Sequence, residues 1–170
     1  QEELGIILGA SKQTISNWET GYTPIPLNKL VRFANLYDYS LDFLVGFTRK
    51  NIKYNKSIKL DKKLIGKNLK LLREKLKLTQ QELSDKCDLY QSTYNHYENG
   101  YSLIKIMPAY SICKTYNVSM DWLVGRTNNK KIVWIINLNH TIFIMSDDGM
   151  TANFGWVPPI FSCHCCHYFL

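Results

Sequence analysis

The sequence predicts an all-α chain built as two tandem copies of one small helical unit, the first copy lacking its opening helix. Three observations carry this reading. Apolar residues recur at helical spacing, most clearly in Ile65, Leu69, Leu72 and Leu76. Ser11, Ser40, Asp61 and Thr79 stand where helix N-caps are needed, and Gly21, Gly46 and Gly100 stand where helices stop. A shift of 79 residues also lays residues 1–48 on 80–127 without a gap, and 15 of those positions are identical. Two copies are too few for a stacked solenoid, so each is expected to form its own small domain. The chain divides into a truncated first unit (1–47), a basic linker (48–60), a complete second unit (61–127) and a tail (128–170) that reads as irregular or as a β-hairpin.

Each element follows from its own residues. A short helix occupies residues 1–8. Ser11 caps a second helix, Lys12 to Glu19, and Gly21 ends it. Pro24 and Pro26 mark a loop, and the next helix runs to about Tyr37 with Leu27, Leu30, Val31, Ala34 and Leu36 mostly on one face. Ser40 caps a last short helix, Leu41 to Val45, closed by Gly46. The linker is rich in Lys, Asn and Tyr and has little apolar periodicity. At roughly 3.5 Å per residue it reaches about 50 Å, enough to join units on successive half-sites about 34–36 Å apart on DNA.

In the second unit Asp61 caps a helix over Lys62 to Leu76. Thr79 with Glu82 three residues later forms a capping box, so a helix begins at Gln80. Leu83 and Cys87 share its apolar face. A turn at Asp88-Leu89 leads to a helix from Gln91 to Glu98, stopped by Asn99-Gly100. Lys105 to Tyr116 and Ser119 to Val124 complete the unit, with Val118 and Trp122 closing the core. Trp18, Tyr37, Tyr97 and Trp122 read as core residues rather than stacking surfaces. In the tail, Lys131 to Ile136 and Thr141 to Met145 read as two strands.

The two short helices around Asp88, and their equivalents around Gly9, have the geometry that sets side chains into a DNA major groove. Charge supports this. The formal net charge is +7, and between Arg49 and Lys77 lie 12 Lys or Arg against only Asp61 and Glu74, so the rest of the chain is net acidic. A concentrated basic segment beside such a motif is the footprint expected for a phosphate backbone. No Ser/His/Asp set, carboxylate pair or phosphate-binding glycine loop stands out, so no enzyme and no small-molecule substrate is expected. The odd count of five Cys, with Cys87 and Cys113 at apolar helix positions, fits a reducing cytoplasm rather than a disulfide framework. Ile132 to Met145 is too short and too interrupted to span a bilayer. Cys163, His164, Cys165, Cys166 and His167 are zinc-ligand types, but adjacent residues seldom both reach one ion, so no metal site and no cofactor is assigned.

These motifs resemble the phage-repressor and Cro-like (XRE-type) helix-turn-helix regulators, a family of five-helix DNA-binding domains. In the second copy the resemblance is carried by Leu72-Arg73, by Leu78-Thr79-Gln80-Gln81-Glu82-Leu83, by Tyr97-Glu98-Asn99-Gly100 and by Val118 to Gly125. The first copy matches from its second helix onward. The resemblance implies a sequence-specific regulator of bacterial or phage type that binds double-stranded DNA in a repressor-like way. It implies base contacts from Lys12, Gln13, Ser16 and Asn17 in one copy and from Gln91, Ser92, Asn95 and His96 in the other. Gln1 and Gln80 would meet phosphates at helix N-termini, with Thr14, Thr93, Tyr22 and Tyr101 on the backbone nearby. Arg73 and Glu98 would form a structural ion pair, whereas Glu19 lacks its partner. Tyr90 departs from the expected Ser or Thr cap, and Tyr94 puts a ring where the first copy has Ile15. A second copy of the chain or a partner regulator are further partners that the resemblance allows. The alternative reading is a protein-interaction module, of antitoxin or anti-repressor type, using the same fold.

Overall fold

The computed structural model describes residues 1–130. The strands expected over 131–136 and 141–145, and the Cys-His cluster, lie outside these residues. The described chain is helical throughout: α1 (Glu2–Leu8), α2 (Lys12–Glu19), α3 (Leu27–Tyr37), α4 (Leu41–Leu44), α5 (Lys62–Lys75), α6 (Gln80–Lys86), α7 (Gln91–Glu98), α8 (Ile106–Tyr116) and α9 (Met120–Leu123). Shifted by 79 residues, α2, α3 and α4 coincide with α7, α8 and α9 residue for residue. The turns coincide as well. Left-handed residues recur at Gly9 and Asp88, Gly21 and Gly100, Asp38 and Asn117, and Gly46 and Gly125. Among the described residues only α5 has no counterpart.

Local chemistry accounts for the boundaries. The side chains of Ser11, Ser40, Asp61, Thr79 and Ser119 each accept a bond from a backbone N–H in the first turn of their helix. Thr79 and Glu82 form the full capping box. Tyr90 offers no such bond and stands 83% exposed. In α5, Ile65, Leu69 and Leu72 are buried as the stripe predicts, but Leu76 is 40% exposed because the helix ends before it. Tyr37 and Leu36 are also largely exposed, at the end of α3 where the stripe has turned away from the core. Gly66 lets α5 cross α7 closely: a Cβ there would come within 2.4 Å of the Glu98 carbonyl oxygen. Tyr94, the ring in place of Ile15, is fully buried and donates its hydroxyl to the Leu69 carbonyl at 3.3 Å.

The two copies do not stand apart: their buried side chains form one continuous cluster. Leu27, Leu30, Val31, Ala34, Leu41 and Phe47 of the first copy pack into the same buried cluster as Ile65, Leu83, Ile112, Met120 and Leu123 of the second. The linker is not a free tether either. Ile58 and Leu60 pack on this core, the Asn35 amide bonds both the N–H and the carbonyl of Ile58, and Asn51 bonds the Asp38 carbonyl and the Ser40 N–H. Apolar periodicity misses such a segment because amide side chains, rather than an apolar stripe, hold its backbone.

At the centre, α4 and α9 meet. Asp42 Oδ1 accepts from Met120 N–H at 2.6 Å, and Asp121 Oδ2 accepts from Asp42 N–H at 3.1 Å. Both carboxylates are buried, and Asp121 Oδ1 has no hydrogen-bond partner, the Arg126 Nη1 lying 3.9 Å away. Burial first, and the Asp42 charge second, push the Asp121 carboxyl up to about 7, against the pull of the Leu41 and Asp42 N–H groups and of Arg126. Burial likewise raises Asp42.

A carboxyl raised on folding favours the native state while it is protonated, and that advantage is lost as pH rises through its folded value. The chain should therefore resist denaturant better near pH 5.5 than near pH 8.5. Asp121→Asn should reduce this difference by removing the charge, with Asp42 and Arg126 unchanged around it. Urea unfolding of both proteins at the two pH values checks this, and equal pH dependence in the variant would contradict it.

Candidate nucleic-acid interface

The second copy is braced from inside outward. Arg73 on α5 grips Glu98 at the end of α7 bidentately, Nε to Oε2 and Nη2 to Oε1 both at 2.8 Å, and its Nη1 donates to the Leu78 carbonyl at 3.1 Å. Burial alone would raise the Glu98 carboxyl, but the bonds from Arg73, Gln80 and Tyr94 outweigh it and hold Glu98 below the usual range. The expected ion pair is thus present and mostly enclosed, with side-chain exposures of 17% and 4%. From it the network continues to the surface. Gln80 Nε2 donates to Glu98 Oε1 at 3.1 Å, and Gln80 Oε1 accepts from Gln91 Nε2 at 3.0 Å.

Along α7, Gln91, Ser92 and His96 are exposed, while Thr93 and Asn95 are half-buried. Asn95 Oδ1 accepts from Asn99 Nδ2 at 2.6 Å and lies 3.5 Å from Gln80 Nε2. Gln91, Ser92 and His96 are therefore presented outward, while Asn95 is partly committed to Asn99 and Gln80. Tyr101 is exposed and meets His96 edge-on at 5.9 Å between ring centroids. Lys62, at the start of α5, donates to the Tyr101 carbonyl at 3.2 Å. Lys62 belongs to the basic segment, and only the crossing of α5 over α7 brings it to this loop.

The first copy repeats the outline with less support. Gln1 donates to Glu19, as Gln80 does to Glu98. Among the described residues no arginine pairs with Glu19. Lys12 and Gln13 are exposed, and Thr14, Ser16 and Asn17 half-buried. Lys12 pairs with Glu2 at 3.0 Å in an open ion pair that is easily broken, and Gln13 Nε2 donates to Asn17 Oδ1 at 3.0 Å. Tyr22 is 81% exposed beside Gly21, matching Tyr101. Among the described residues, Leu4, Trp18 and Glu19 are half-buried where their equivalents Leu83, Tyr97 and Glu98 are buried. Trp18 is accordingly only partly a core residue.

Two outward-facing polar helices, each preceded across a tight turn by a helix with a glutamine at its N-terminal end, define the helix-turn-helix class of DNA-binding regulator. The helix-turn-helix family model HTH_3 matches residues 1–44 and 69–123, and the chain belongs to that family, in two tandem copies. No curated protein and no solved structure matches it. The family is a regulatory, generally non-enzymatic one. Among the described residues no helix is long and apolar enough to cross a membrane, and no group of three or more His, Cys, Asp or Glu is placed to hold a metal ion. Cys87 and Cys113 are buried free thiols, both pushed up by burial.

Removing one partner of an enclosed ion pair orphans the other. Arg73→Ala should cost roughly 3–5 kcal/mol. Denaturant unfolding checks this, and a loss near that of an exposed lysine, such as Lys70→Ala, would contradict it.

Proposed function

We propose that the chain is a sequence-specific, repressor-like transcriptional regulator that reads the major groove of double-stranded DNA with α2 and α7. The observation that carries the reading is the arrangement of α7. Its first turn presents Gln91 and Ser92 to solvent while a buried ion pair and Gln80 hold it from behind. Lys12 and Gln13 hold the corresponding places on α2. Glutamine can bond adenine N6 and N7 together, and lysine reaches guanine O6 and N7. Gln1 and Gln80, Thr14 and Thr93, and Tyr22 and Tyr101 flank these helices as phosphate contacts, which fix position but carry no sequence information. Ser16, Asn17, Asn95 and His96 lie one turn further on and complete the reading surface.

The other reading is a protein-interaction module that uses the same fold to bind a partner protein. Salt separates the two roles, since phosphate neutralisation releases counterions and apolar contact does not.

Duplex affinity should fall linearly on a log–log plot against salt. Gln91→Ala should reduce discrimination between preferred and random duplex, at about 1–3 kcal/mol for a lost bidentate contact, and leave random-duplex affinity in place. Lys62→Ala should weaken binding on every sequence and lower the salt slope by about 1. Fluorescence anisotropy titrations across a salt series measure all three. An affinity insensitive to salt, or an equal loss for Gln91→Ala on every duplex, would reject base readout.

A further inference from the structure

We propose that one molecule of this chain occupies a whole operator made of two unlike half-sites in inverted orientation, because its two copies are locked across a pseudo-twofold axis at α4 and α9. This rests on α2 and α7 being the helices that read DNA.

The contact between α4 and α9 is self-reciprocal. Asp42 accepts from the N–H groups of Met120 and Asp121, and Asp121 accepts from those of Leu41 and Asp42. Leu41 and Met120, like Asp42 and Asp121, are equivalent positions separated by the repeat of 79. When position i of one copy meets position j of the other and j meets i in return, the two are related by a twofold rotation. A translated, head-to-tail arrangement would join different patches and leave one carboxylate without its N–H partners.

A second pair of equivalent positions behaves the same way. Phe47 crosses to α8 of the other copy, the equivalent of α3, stacking on Tyr110 with centroids 4.9 Å apart. Arg126, its counterpart, crosses to α3 and donates to the Ala34 carbonyl at 3.2 Å and to that of Tyr39 at 2.7 Å. The pinned linker and the shared core remove the freedom a tether would give.

A protein with twofold symmetry reads half-sites that are inverted with respect to each other. The halves must nevertheless differ. Lys12, Gln13, Ser16 and Asn17 stand opposite Gln91, Ser92, Asn95 and His96, and none of the four pairs is identical. Leu41, Asp42, Met120 and Asp121 are all buried within the one chain, so this surface is already occupied and a second copy is not needed to complete the pair.

The test is selection of bound duplexes from a random pool by the full chain, followed by sedimentation of the selected complex. The expected result is two different short motifs, inverted, at one fixed spacing, with one chain per duplex. Recasting the selected site with its halves in tandem should lower affinity on the order of 10²-fold, towards that of a single half-site, because the linked second contact is lost. Asp42→Ala with Asp121→Ala should shrink that penalty while each isolated half-site is bound as before. Hydrogen exchange at the Leu41, Asp42, Met120 and Asp121 amides of the unmodified chain, slow without DNA, gives a readout that does not depend on the variant folding. Enrichment of lone motifs, tandem motifs or identical halves, two chains per site, or fast exchange at those amides would overturn the proposal while leaving groove reading intact. Enrichment of no duplex at all would bring down both.

Discussion

Two buried carboxylates, each capping the short helix that carries the other, decide how the halves of this chain face one another. Asp42 and Asp121 sit among apolar side chains where an isolated charge is costly. Two features offset that cost. Each carboxylate accepts backbone N–H groups that a helix end would otherwise leave bare, and Arg126 brings a positive charge to within 3.9 Å of Asp121. The unsatisfied oxygen of Asp121, with its carboxyl raised to about 7, is what remains uncompensated. An apolar contact could bury as much surface, but it would not fix direction so narrowly. Hydrogen bonds from named amides admit one orientation of the two copies.

The helices offered to DNA hang on this centre. In the second copy α5 closes over α7, with Gly66 at the crossing and Arg73 on Glu98, so the first turn of α7 is held from behind. In the first copy Gln1 stands against Glu19 as Gln80 stands against Glu98, and Lys12 pairs with Glu2.

Much of this was legible in the residues. Capping side chains and the repeat of 79 gave nearly every helix, because N-cap chemistry is local and needs no knowledge of tertiary contacts. The Arg73–Glu98 pair followed from family resemblance and stands in the structure as expected. What sequence reading missed depends on contacts distant along the chain. Asp42 and Asp121 look like ordinary acidic residues in the first turn of short helices, and nothing nearby signals that each is buried against the other. The linker, dense in Lys and Asn, reads as a solvated tether because its ties are amide to backbone. Leu76 and Tyr37 show the opposite error, apolar residues at helix ends that the stripe leaves in solvent.

The most direct measurement is a nitrogen-15 NMR titration of the full chain with a short duplex at low salt. The expected result is that amides of Lys12 to Asn17 and of Gln91 to His96 shift together and saturate at one duplex per chain, with the α4–α9 amides little changed. Shifts confined to other surfaces, or an α7 that does not respond, would contradict it.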